Sequence, residues 1–124
     1  MRLTFQLPTP PAILFSNGSN GNKFVRREAT RKAIGIAKAE AERVMGDAGI
    51  APPKWARARY WVTVFHKSSQ VRDFDNVTAA IKGYIDGLAL AGVIKNDRDL
   101  YPERPRRERV ERMPRIEISI EEDV

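Results

Sequence analysis

The sequence predicts one small α+β domain whose elements run strand, helix, strand, helix, closing hairpin. Three observations predict it. At 124 residues the chain is long enough for one core and too short for two that fold alone. Runs of β-type pattern stand near both ends and in the middle, and two proline-free helical stretches separate them. Hydrophobic residues make up 42% and charged residues 31%, the balance of a globular chain rather than a disordered one. Residues 1–124 are therefore read as a single domain.

Residues 2–7 alternate polar and apolar, the period of a half-buried strand, and Pro8, Pro10 and Pro11 end it. Residues 16–22 are turn chemistry throughout. From Arg26 to Ala48 there is no proline and much alanine, which predicts a helix. Ala29, Ala33, Ile36, Ala37, Ala41, Val44 and Ala48 form its apolar stripe, and Gly49 with Pro52 and Pro53 stops it. Arg57 to Phe65 is rich in β-branched and aromatic residues and reads as a central strand. A basic loop over 67–72 leads into a second helix, Asn76 to Ala91, with Asp75 as its N-cap. Val77, Ala80, Ile81, Tyr84, Ile85 and Leu88 fall at helical spacing on one buried face. Gly92 ends the helix, and Val93-Ile94 suit a short strand. Two prolines within 102–106 argue against regular structure there. Arg107–Arg112 and Arg115–Ile120 alternate around Met113-Pro114, the pattern of a hairpin.

Composition excludes several classes of function. No cysteine means no disulfide scaffold, no thiolate zinc site and no thiol nucleophile. A single histidine, His66, excludes a multi-histidine metal centre. No apolar run approaches the roughly 20 residues of a membrane span. The N-terminus is too short in apolar residues for a secretory signal, so a cytoplasmic location is expected.

Net charge is +6, unevenly spread. Residues 50–72 carry Lys54, Arg57, Arg59, Lys67 and Arg72 without an acid, whereas residues 73–99 are net acidic. A basic surface attracts polyanions. An acidic centre inside it repels them unless a divalent cation lies between.

That acidic centre has two parts, Arg72-Asp73-Phe74-Asp75-Asn76 and Asn96-Asp97-Arg98-Asp99. Asp73 and Asp75 lie two apart in extended backbone and present their carboxylates to one side. The intervening helix runs about 24 Å, so the chain must fold back for Asp97 to join them. Pairing of residues 93–96 as a strand achieves that. Three convergent carboxylates without His or Cys suit Mg²⁺ or Mn²⁺ and the activation of water against a phosphodiester. The plainer alternatives are helix capping by Asp75 and solvated turns at Asp97 and Asp99. Lys82 is either a cation aimed at this centre or an i,i+4 partner of Asp86.

The three-part pattern of Arg72-Asp73-Phe74-Asp75-Asn76, Lys82-x-x-x-Asp86-Gly87-Leu88 and Ala91-Gly92-Val93-Ile94-Lys95-Asn96-Asp97 resembles the RusA family of Holliday junction resolvases. The motif-bearing match covers residues 72–97, about a fifth of the chain. The resemblance implies a mixed α/β fold, an intertwined homodimer, and Mg²⁺-dependent resolution of four-way DNA junctions by paired symmetric nicks. It implies that Asp73, Asp75 and Asp97 are the metal-binding carboxylates and that Lys82 stabilises the phosphodiester transition state. With a junction as substrate, Lys67, Arg72, Arg27 and Arg31 are the expected phosphate contacts. A bacterial or phage-infected cell is the implied setting.

Two departures stand out. The family's lysine lies four residues after the second aspartate, whereas Lys82 lies seven after Asp75 and Ala79 takes the ungapped place. Asn96-Asp97 replaces a pair of aspartates. These departures favour a non-catalytic module that binds branched nucleic acid as the main alternative. A metal-dependent phosphatase is the lesser one, with no Gly-rich phosphate loop to support it.

Overall fold

The computed structural model describes residues 1–15, 23–66, 74–103, 106–109 and 113–123; for Ala12, Phe74, Asp75, Asn76, Asp97, Arg107 and Arg109 it describes the backbone only. Residues 16–22 and 67–73, predicted as loops, lie outside that set. The elements are β1 (Arg2–Pro8), α1 (Ala12–Phe15), α2 (Lys23–Ala48), β2 (Ala58–His66), α3 (Phe74–Ala80) and α4 (Lys82–Leu90). A 3-10 turn (Asp97–Asp99), β3 (Leu100–Pro102), β4 (Arg106–Arg109) and β5 (Arg115–Glu122) complete them. The fold is α+β, with a mixed sheet in the order β1-β5-β2-β3 and β4 also on β2.

β1 buries Leu3, Phe5 and Leu7 and exposes the residues between them, as its alternation requires. Its antiparallel partner β5 presents Ile116, Ile118 and Ile120 to the same core, and β2 adds Ala58, Tyr60 and Val62. Each of the isoleucines is fully buried, worth about 1.5–3 kcal/mol apiece.

The helices cover this face. α2 buries Ala33, Ala37, Ala41 and Met45, so the predicted stripe holds at its centre and departs from it at Ile36 and Ala48, which are exposed. Val77, Ala80, Ile81, Tyr84, Ile85 and Leu88 are all buried, as their spacing predicts. The expected single helix is bent: Ile81 has φ −91° and ψ 0°. Hydrogen bonds from Ile81 N to Val77 O and from Ile85 N to Ile81 O, both 3.0 Å, carry the buried face across the bend.

Both long helices end as predicted. At α2, Ile50 N donates to Met45 O and Gly49 N to Gly46 O, with Gly49 at φ +68°. At α4, Val93 N donates to Leu88 O and Gly92 N to Ala89 O, with Gly92 at φ +88°. Each is a Schellman closure, which needs a residue without a Cβ in the left-handed region.

Among the described residues the predicted closing hairpin is not formed. β4 pairs parallel with β2, Thr63 opposite Arg106 and His66 opposite Arg109. β5 pairs antiparallel along the other edge of β2, Phe65 opposite Arg115. The two alternating runs thus flank β2 instead of each other, because β2 offers two free edges and β5 must also reach β1. Leu100–Pro102 is a strand that the sequence reading did not anticipate; Pro102 is tolerated because β3 lies at the sheet's edge. Among the described residues no helix is long and apolar enough to cross a membrane.

Candidate active site

In the motif segment, β2, the bent helix α3–α4, and β3 parallel to β2 make a β-α-β crossover. Asp75 is the second residue of α3, inside the first turn instead of capping it from outside. A carboxylate is favoured there too, by the positive end of the helix dipole. Asp73, Arg72 and Lys67 lie outside the described residues, as does the side chain of Asp75.

The fold-back that Asp97 needs is present. Lys54 N donates to Gly92 O at 2.8 Å, Trp55 N to Val93 O at 3.1 Å, and Lys95 N to Trp55 O at 2.8 Å. Residues 92–95 therefore run parallel beside the approach to β2, with Ile94 bridged to Trp55. The next residues form the 3-10 turn, which Asp97 opens and which packs on α4. The Asp97 side chain is not among those described, so convergence of its carboxylate with Asp75 stays an expectation. Among the described side chains no three acids or imidazoles come together.

Asn96 has a defined role. Its Oδ1 accepts the backbone N–H of Arg98 at 3.2 Å, and its main-chain oxygen accepts that of Asp99 at 3.2 Å. It caps the turn that carries Asp97. His66 ends β2 and is half-buried.

Lys82 is exposed at the start of α4, and no ion pair joins it to Asp86. Its level in the molecule follows from its neighbour Gly83, where an added Cβ would meet Ala33 Cβ at 3.0 Å and Thr30 O at 3.2 Å. Gly87 makes the same kind of approach to Ile34, Ala37 and Lys38. Contacts advance together along both chains, so α2 and α4 run parallel and start at the same end of the helical layer. α1 packs on both α2 and α3.

The cations divide sharply. Several at the sheet and its flank are engaged: Arg2 with Glu121 at 3.1 Å, Arg57 with Asp123 and Arg59 with Glu103 at 3.8 Å each. Arg2 also lies over the Trp61 ring at 4.4 Å and Arg115 over Phe65 at 4.0 Å. Far along α2, Arg43 pairs with Glu40 and Asp47. At the start of α2, by contrast, Lys23, Arg26, Arg27 and Lys32 make no ion pair among the described residues. Arg31, an expected phosphate contact, is tied to Glu28 at 3.1 Å, whereas Arg27 is exposed and has no ion pair among the described residues. Lys54, Lys95 and Arg106, elsewhere on the surface, make no ion pair among the described residues either.

No protein-family model matches the chain, and no curated protein matches it either. The site must be judged on its residues. Arg26, off the predicted apolar stripe, is half-buried, and its Nη1 is enclosed without a hydrogen-bond partner. Nothing in its spacing distinguishes it from Arg27.

Proposed function

We propose that the chain is a Mg²⁺- or Mn²⁺-dependent endodeoxyribonuclease that resolves four-way DNA junctions by paired symmetric nicks, as a homodimer, in DNA recombination and repair. The setting we propose is the cytoplasm of a bacterium or a phage-infected cell. The observation that carries the assignment is the juxtaposition of unlike charges. An acidic motif of RusA type leads into α3, and Lys23, Arg26, Arg27, Lys32 and Lys82, which make no ion pair among the described residues, lie where α2 and α4 begin. Cations without intramolecular partners are available to phosphates. Acids beside them favour a divalent ion in the same place.

Asp73, Asp75 and Asp97 would hold the ion, an all-carboxylate donor set that suits a hard cation. When bound, the ion supplies Lewis acidity toward the phosphoryl oxygen and lowers the pKa of a water. Lys82 supplies a charge that strengthens its hold as the phosphodiester gains charge in the transition state. Arg27 with Lys67 and Arg72 would grip backbone phosphates, which suits a substrate recognised by shape.

A non-catalytic module for branched DNA is the second reading, and Asn96 favours it. The Oδ1 that would ligate metal instead accepts the N–H of Arg98. An end-labelled four-way junction, incubated with Mg²⁺ and with EDTA beside a linear duplex of the same sequence, separates the two. Symmetric Mg²⁺-dependent nicks in the junction alone support the nuclease. Tight junction binding without nicks in either metal supports the module.

A further inference from the structure

We draw no further inference here: the strongest candidate, the apolar groove of about 380 Å³ between α2 and the connection from β1 to α1, lined by Pro8, Pro11, Ile13, Val25, Ile36 and Tyr84, carries none because nothing in the structure shows what covers it.

Discussion

Asp75 and Tyr84 carry the clearest expectations at the scale of single residues. Asp75→Asn keeps the side chain's shape and removes one charge from the proposed metal site. Junction cleavage should fall about a hundredfold or more, while junction binding holds or tightens because a repulsive charge is gone. Parallel gel-shift and cleavage assays check this, and undiminished cutting by the variant would remove Asp75 from the site. Tyr84 is buried, and its hydroxyl donates to the carbonyl of Pro8 at 2.5 Å. Burial pushes its pKa up to about 12, from an ordinary value near 10. Between those values the unfolded chain releases a proton that the folded chain retains. Stability must therefore fall as pH rises through that window and be unaffected below it. Tyr84→Phe should cost about 1 kcal/mol at pH 7. By pH 11 it should also flatten the alkaline decline by roughly 1.4 kcal/mol. Urea unfolding at pH 7, 10 and 11 measures both. Burial raises Tyr60 in the same direction, so the decline should not vanish.

Between elements, the closest approach is α4 on α2. An added Cβ at Gly87 would run into the carbonyl of Ile34 and stand 2.8 Å from Ala37 Cβ; at Gly83 the nearest atoms begin at 3.0 Å. Gly87→Ala should destabilise by about 3 kcal/mol despite alanine's better helix propensity. Gly83→Ala should cost about 1 kcal/mol or less, since the same gain offsets a milder clash. Denaturant midpoints rank the two, and equal effects would contradict the closer approach of α4 to α2 at Gly87. This scale also shows what was legible in the sequence. Periodicity revealed β1, the core of α2, β2 and the buried face of α3–α4, because each buries one side and the spacing records it. Glycines at 49 and 92 marked the helix ends because a left-handed closure selects them. The hairpin over 107–120 was misread because alternation reports a face and says nothing of which edge a strand joins. Local pattern likewise missed β3, whose partner lies some forty residues away. For the site, the acids were visible as a motif, while the capping role of Asn96 and the enclosure of Arg26 depend on neighbours that only the fold supplies.

For the whole molecule, the partition of charge sets how binding should respond to salt. Each cation that neutralises a phosphate releases a counterion, adding about 0.9 to the slope of log affinity against log salt. Arg27→Gln should lower that slope by about 1. Lys38→Gln, which removes a cation paired with Glu42 at 3.8 Å, should leave it almost unchanged. Equal loss from both would mean that DNA ignores the end of the layer where α2 begins. The sheet adds a constraint of timing. β5 lies between β1 and β2, bonded to both, and it comes after every other described strand in the chain. On a ribosome adding about 5–20 residues per second, β1 must wait through more than 100 residues, Leu3 to Ile120 in register, before its only described partner emerges. Helices can form meanwhile, but the isoleucines that seal the core arrive last, so the nascent chain holds two open strand edges until synthesis passes Glu122. Refolding from denaturant should be slow for a domain of this length, as non-local pairing dictates. A chain stopped before Arg115 should aggregate instead of folding in part.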